Sequence, residues 1–131
     1  MREVKTITTD FLDYLQKRDL PNILNLFAEN VKWEIPGNLE NIKWLGKRNN
    51  KQEIEEFFKF LWKETEPVSG EIHRVLYDNS EAVIKGCFTT KILETQKVVN
   101  SIFFIHLMVY NGEIVEYTLL EDSYAVSESF K

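Results

Sequence analysis

The stretch LFAENVKWEIPGN, residues 26–38, joins two different local patterns. Before it, apolar residues recur at helical spacing, and this recurrence stops within its first few residues. Val31, Trp33 and Ile35 then alternate with polar residues, which is the period-two pattern of a half-buried strand. A Pro-Gly pair ends the alternation. The chain is therefore predicted to leave a helical layer and enter a sheet at this point.

Two helices are predicted before this junction. Asp19 can cap the second of them, and Pro21 suits its first turn. The apolar residues of this short helix are Ile23, Leu24, Leu26 and Phe27, and it ends near Asn30, which can adopt a left-handed backbone. The first helix is amphipathic, and its apolar positions are Val4, Ile7, Phe11, Leu12 and Leu15.

A third helix is predicted after a polar loop at residues 38–50. Asn50 is a candidate N-cap, and Glu53 places negative charge in the first turn, where the helix dipole favours it. The buried stripe of this helix comprises Ile54, Phe57, Phe58, Leu61 and Trp62. Strand patterns follow at 71–78, 81–93, 98–110 and 113–122, and a short helix at 123–130 ends the chain.

Helices followed by a meander of strands predict an α+β fold. A curved antiparallel sheet wrapped around the helices would bury the Phe and Trp stripe of the third helix. The strand at 98–110 is apolar on both faces, so its second face is expected to contact something else. Because exposed apolar patches of that size are rare on monomers, a partner subunit is one explanation.

Bulk composition excludes several classes of protein. The chain has 131 residues, of which 44% are hydrophobic, and this fits one globular domain over residues 1–131. The net charge is −5 and no basic cluster occurs, so nucleic-acid binding is not expected. No run of residues is long and apolar enough for a membrane span. A single cysteine favours a cytoplasmic location over an oxidising one.

Three segments resemble the SnoaL-like, ketosteroid-isomerase-like branch of the nuclear transport factor 2-like superfamily. The first joins the second helix to the first strand and matches at Asp19-Leu20, Leu26-Phe27-Ala28, Val31, Trp33 and Pro36-Gly37. The second is an aromatic-x-Gly loop leading into a helix, matched at Trp44, Gly46, Ile54, Phe57 and Phe58. The third is the terminal segment, matched at Gly112, Ile114 and Asp122. The three segments cover nearly the whole chain in the family's order.

This resemblance implies a cone made of a highly curved antiparallel sheet around N-terminal helices. The open end of such a cone is a pocket for a small hydrophobic molecule, and many members are homodimers through the outer face of the sheet. No cofactor is expected. The residues that we expect to line the pocket are Tyr14, Trp33, Trp44, Phe58, Trp62, Phe88 and Tyr117.

The mechanism of the steroid isomerases does not fit the matched positions. Its base would fall on Ile35 and its tyrosine donor on Phe11, and its second acid would fall near Phe104 or Ile105. Apolar side chains can neither accept a proton nor stabilise an enolate. If the register is wrong by one residue, Glu34 becomes a candidate base.

Polyketide cyclases of this family use a histidine on the long strand and an aspartate near the end of the last strand. His106 and Asp122 are the corresponding candidates here, and Glu34 is the third. Each also has a structural interpretation. His106 could be an interface residue, Asp122 a helix cap and Glu34 a solvated strand residue. The alternative to an enzyme is therefore a non-catalytic ligand-binding protein or dimeric scaffold on the same fold.

No metal site is predicted from the sequence. The two histidines, His73 and His106, are far apart and show no H-x-H or H-x-x-x-H spacing. His73 is expected to be exposed or paired with a carboxylate. Cys87 is expected to be a small buried hydrophobic residue.

Overall fold

The computed structural model describes residues 3–131, which form four helices and one six-stranded sheet. The helices are α1 (Val4–Lys17), α2 (Leu20–Asn25), α3 (Lys51–Glu64) and α4 (Ser123–Glu128). The strands are β1 (Phe27–Ile35), β2 (Gly46–Asn50), β3 (Thr65–Asp78), β4 (Glu81–Ile92), β5 (Val98–Tyr110) and β6 (Glu113–Glu121).

The sheet is curved and unclosed, with its strands in the order β2-β1-β6-β5-β4-β3. The predicted α+β class and the predicted cone are thereby confirmed. All neighbouring strands are antiparallel except β1 and β6, which run parallel, with Trp33 opposite Tyr117. This parallel pair brings the first strand of the chain beside the last one. It therefore places the residues at the ends of β1 and β6 on the same side of the cone.

Local capping explains where two of the helices begin. The Asp19 carboxylate accepts hydrogen bonds from the backbone N–H of Asn22 at 3.4 Å and from its side chain at 2.7 Å. The side-chain oxygen of Asn50 accepts the backbone N–H of Glu53 at 2.9 Å. Both N-caps agree with the sequence prediction, because Asp and Asn satisfy amide groups that the first turn leaves free.

Several local predictions are wrong. Phe27 begins β1 and does not belong to α2, and Asn30 lies inside β1 opposite Asn50. The segment predicted as a polar loop contains β2, whose sequence has no apolar residue to signal a strand. Backbone pairing with β1 forms this strand, and such pairing leaves no trace in side-chain periodicity.

The face of the sheet that packs on the helices carries an aromatic core. Trp33 is only 1% exposed and stacks on Tyr117, with ring centroids 4.1 Å apart and planes 19° apart. The edge of Phe57 meets the same indole at 5.0 Å, and Phe11 meets the Tyr117 ring at 5.6 Å. These contacts join β1 and β6 to α3 and α1, and so they hold the helices inside the curve of the sheet.

The opposite face, here called the outer face, is exposed. On β5 the inward residues are buried, whereas Ile102 and Phe104 point outward and are 58% and 39% exposed. Leu120, the neighbour of Phe104 on β6, is also exposed. The two-sided apolar pattern of this strand is therefore real, and one of its faces has no partner within residues 3–131. None of the helices in that range is long and apolar enough to cross a membrane.

Candidate functional site

A cavity of about 280 Å³ lies between the helices and the inner face of the sheet. Its walls come from α1, α3 and α4, from five of the strands and from the loop before β2. Most of the lining residues are apolar, and the titratable ones are Arg18 and Glu121. A largely apolar cavity with few polar groups is the usual form of a small-molecule site.

Glu121 reaches this cavity because of strand periodicity. It is the last residue of β6, and Tyr117 and Leu119 precede it on the same face of the strand. Tyr117 is part of the aromatic core, whereas Leu119 and Glu121 lie further along, where the cavity opens. The strand therefore passes from packed core to cavity wall, and its final inward residue is a carboxylic acid.

Burial raises the pKa of Glu121 from its ordinary value of 4.5 to about 7. Desolvation is the cause, since the carboxyl group has no hydrogen-bond or ion-pair partner among residues 3–131. Burial also raises the pKa of Tyr117, and the Glu121 carboxylate adds to this effect. A carboxyl group with a pKa near 7 is half ionised near neutral pH, so it can both donate and accept a proton.

Arg18 lies at the rim of the cavity. It is the C-cap of α1 and adopts a left-handed backbone with φ of 53°. Its guanidinium group lies over the Trp62 ring at 5.4 Å from the centroid. An arginine held by an aromatic face at the mouth can attract the polar or anionic end of a ligand whose apolar part lies inside.

The structure separates the predicted pocket residues into two groups. Trp44, Trp62 and Phe88 line the cavity. Trp33, Phe58 and Tyr117 belong instead to the aromatic core, and Tyr14 packs half-buried against that core without lining the cavity. The division follows from depth in the cone, because residues below the cavity are packed by α1 and α3.

Two of the three predicted catalytic residues point away from the cavity. His106 lies on the outer face of β5, where its Nε2 contacts the Glu81 carboxylate at 2.7 Å. His106 borders a groove on the outer face. Glu34 borders this groove as well, together with Lys32 and Glu116. The structure thus brings Glu34 and His106 close together, but on the surface where a partner subunit is expected. Their catalytic role stays a prediction that this orientation does not favour.

Asp122 serves as a helix cap. It is the N-cap of α4, and its Oδ1 accepts the backbone N–H of Ala125 at 3.0 Å. Its own N–H donates to the Ser101 hydroxyl at 2.8 Å. The exposed carboxylate is not part of the cavity lining. The structural interpretation of Asp122 therefore accounts for all of its observed contacts.

Sequence reasoning missed Glu121, the residue directly before Asp122. The signal was available in the alternation of β6, where Tyr117 and Leu119 mark the inward face. An acid that continues an inward face is unusual, because charged residues are almost never buried without a partner. The family resemblance instead matched Asp122, whose exposed carboxylate is not part of the cavity lining.

The positions that steroid isomerase chemistry would use are apolar, and most of them are buried. Phe11 is fully buried and Ile35 is 2% exposed. Ile35 forms part of the cavity wall. Of the two alternatives on β5, Phe104 points outward and Ile105 is buried. None of these side chains can exchange a proton with a ligand.

Comparison with known proteins establishes the family. The SnoaL-like domain family matches residues 8–117, and this chain belongs to it. No curated protein matches the chain by sequence.

Similar solved structures share the whole fold. An NTF2-like protein from Burkholderia thailandensis has a TM-score of 0.89 at 17% identity, covering 100% of this chain and 99% of its own. A provisionally named isomerase from Bacillus subtilis has a TM-score of 0.75 at 18% identity, covering 97% and 91%. A LEH-like epoxide hydrolase from Mycobacterium tuberculosis has a TM-score of 0.74 at 14% identity, covering 97% and 88%. At these identities the likeness concerns the fold alone.

Proposed function

We propose that this protein binds a small hydrophobic molecule in the cavity and that Glu121 moves a proton on it. The observation that carries the proposal is a desolvated carboxyl group, with a pKa of about 7, in the wall of an apolar cavity. Titratable groups whose pKa is shifted, placed in apolar pockets, are concentrated at active sites. Isomerisation, cyclisation and dehydration all fit, because each needs proton transfer and none needs a cofactor.

Arg18 would complete this chemistry. When Glu121 removes a proton from a carbon beside a carbonyl group, negative charge develops on the carbonyl oxygen. A cation at the cavity mouth can stabilise that charge, and among the described residues Arg18 borders the cavity. The apolar part of the molecule would then contact Trp44, Trp62 and Phe88.

Deuterium exchange can test this proposal before the natural substrate is identified. A panel of small apolar ketones and enones is incubated with the protein in D₂O, and NMR spectroscopy follows exchange beside the carbonyl group. We expect exchange above the buffer rate, and we expect Glu121→Gln to reduce it by about 10²–10⁴-fold. Asp122→Asn is the matched control, since it removes the neighbouring carboxylate and keeps a capping oxygen. Equal loss in both variants would contradict the assignment of Glu121.

The second candidate function is non-catalytic binding in the same cavity. It is favoured by the apolar character of Ile35 and Leu119, which line the cavity at positions where family enzymes have polar residues. In that case members of the panel would bind, as measured by tryptophan fluorescence, and would show no exchange. Glu121→Gln would then tighten the binding of apolar compounds, because it removes a charge from the cavity wall.

A homodimer through the outer face of the sheet belongs to the same proposal. Ile102, Phe104 and Leu120 form an exposed apolar cluster on adjacent strands. A second copy of the chain would cover this cluster by two-fold symmetry. The single-domain extent over residues 1–131 and the cytoplasmic location stay predictions.

A further inference from the structure

We propose that Glu71, His73 and Cys87 form a zinc-binding site on the outer face of the β3–β4 ribbon. These residues lie outside the cavity, and the sequence separates Cys87 from the other two by more than a dozen positions. The antiparallel register places Glu71 directly opposite Cys87. The three donor atoms, one carboxylate oxygen, one imidazole nitrogen and one sulfur, all lie within 4.8 Å of one another.

The separations match those of a tetrahedral zinc site. His73 Nε2 lies 3.4 Å from Glu71 Oε2 and 3.6 Å from Cys87 Sγ, and Sγ lies 4.0 Å from Oε2. Zinc bonds of about 2.0–2.1 Å to nitrogen and oxygen and about 2.3 Å to sulfur, at tetrahedral angles, require ligand separations of about 3.3–3.6 Å. Two of the three distances already satisfy this requirement. The third needs a small rotation of the Glu71 side chain, which is 74% exposed and free to move.

A β-bulge contributes to this geometry. Ile72 pairs with Gly86 and Arg74 pairs with Lys85, so His73 is the additional residue of β3. A bulge changes the direction of a side chain, and here it places the imidazole beside the Glu71 and Cys87 side chains. Gly86 permits the two strands to approach closely at the bulge, because a Cβ atom at that position would lie 2.3 Å from the Glu71 carbonyl oxygen.

A nucleophilic relay explains the cluster less well than a metal site. In a relay from thiol to imidazole to carboxylate, the two ring nitrogens bind different partners. Here a single atom, Nε2, approaches both the sulfur and the carboxylate oxygen. Three donors that converge on one point leave a position for an ion at their centre.

The charge and exposure of the cluster also suit a divalent cation. Thiolate and carboxylate together supply two negative charges, and neutral imidazole adds a neutral ligand. Lys85, on the neighbouring outward position, reaches over the Phe104 ring on β5 at 5.9 Å from its centroid. Glu71 and His73 are exposed in the single chain, so the fourth position of the tetrahedron is open to water. Cys87 loses its thiol proton to solvent when the ion binds.

Cobalt and zinc titrations test the site directly. Purified protein, treated with a chelator and then freed of it, is titrated with Co²⁺ and followed by absorption. We expect one ion per chain, with a thiolate-to-cobalt charge-transfer band and the intense d–d bands of tetrahedral cobalt. Zn²⁺ should displace the cobalt and abolish these bands. Absence of the charge-transfer band at saturating cobalt would overturn the proposal.

Single substitutions identify the ligands. Cys87→Ser, His73→Gln and Glu71→Gln should each weaken zinc binding by at least about 100-fold in calorimetry, since even loss of an outer partner costs 10–100-fold. His106→Gln is the matched control. It removes the other histidine, which is also paired with a carboxylate on the outer face but has no thiol beside it. Unchanged affinity in Cys87→Ser, or equal loss in His106→Gln, would show that zinc binds elsewhere.

Alkylation of the unmodified protein gives a measurement that requires no variant. Cys87 is the sole cysteine of the chain, so a maleimide reports on this thiol alone. We expect zinc to slow its modification by at least tenfold and Mg²⁺ to leave the rate unchanged, because magnesium does not bind thiolates. Equal rates with and without zinc would contradict the site.

Discussion

The chemistry of the two acids at the end of β6 depends on where each side chain lies in the fold. Glu121 and Asp122 are neighbours, yet one lies in the cavity wall and the other caps α4 at the surface. Desolvation affects the pKa of Glu121 because no compensating partner follows it into the cavity. As a consequence, ionisation of Glu121 lowers the stability of the folded protein, and the size of this loss depends on pH.

Glu121 should make the protein less stable as pH rises from about 4.5 to about 7. Its folded pKa of about 7 exceeds its ordinary 4.5, so the folded state binds more protons in that range. The upper limit of the loss is on the order of 3 kcal/mol, at about 1.4 kcal/mol per pH unit. Urea unfolding at several pH values measures it. Glu121→Gln should abolish this part of the pH dependence, whereas Asp122→Asn should retain it.

Trp33 should behave as a core residue and not as a ligand contact. It is 1% exposed and stacks on Tyr117, so Trp33→Ala should reduce the free energy of unfolding by about 3–5 kcal/mol. Trp62 is half-buried in the cavity wall, so Trp62→Ala should reduce the free energy of unfolding by less than half as much as Trp33→Ala. Equal losses, measured by urea unfolding, would contradict this division between core and wall.

Among the elements, the β3–β4 ribbon has a specific packing requirement at Gly86. β3 is an edge strand whose residues are mostly exposed, so backbone contact with β4 provides much of its support. The bulge at His73 brings the Glu71 carbonyl close to Gly86, and the Phe103 ring covers the same glycine from β5. There is no space for a side chain at Gly86.

Gly86→Ala should therefore destabilise the protein by about 1–3 kcal/mol or more. The added Cβ would lie 2.3 Å from the Glu71 carbonyl oxygen and 2.7 Å from the Phe103 ring, and the backbone cannot yield without breaking the ribbon. Gly70→Ala is the matched control on the same ribbon, because its Cβ would meet only the Cys87 carbonyl oxygen at 4.0 Å. Thermal unfolding of both variants tests this. Similar losses of stability in the two variants would show that backbone flexibility, and not the lack of space at Gly86, determines the effect.

For the whole molecule, the central question is what covers the outer face. The inner face is occupied by helices, and α1 and α3 complete its core. The outer face has exposed apolar side chains at its centre and charged groups, including Glu34, Lys32 and the His106–Glu81 pair, around a groove. An apolar centre with a polar rim is the usual arrangement of an interface.

The protein should run as a dimer in size-exclusion chromatography with light scattering at micromolar concentration. Phe104→Glu should give the mass of one chain, because it places a charge in the centre of the proposed interface. Tyr124→Ser is the control, since this exposed residue lies on α4 and not on the sheet. A monomeric parent protein would refute the dimer.

The family resemblance and the periodicity of the sequence predicted the fold correctly for particular reasons. The caps at Asp19 and Asn50 act within a few residues, so local sequence specifies them. The apolar stripe of α3 and the two-sided strand β5 are also local patterns. β2 escaped prediction because its residues show no apolar alternation, and its pairing with β1 is made through the backbone.

The class of fold, the family, the order of most elements and the apolar character of the cavity could all be read from the sequence. Which side chains share a site could not, and it became clear in the folded chain. There His106 and Glu34 face outward, Glu121 lies inside the cavity and Cys87 meets Glu71 and His73. The physical reason is that a site depends on the register and curvature of the sheet. Both are set by the pairing of separate strands, and shifting a strand by one residue moves every side chain on it to the other face.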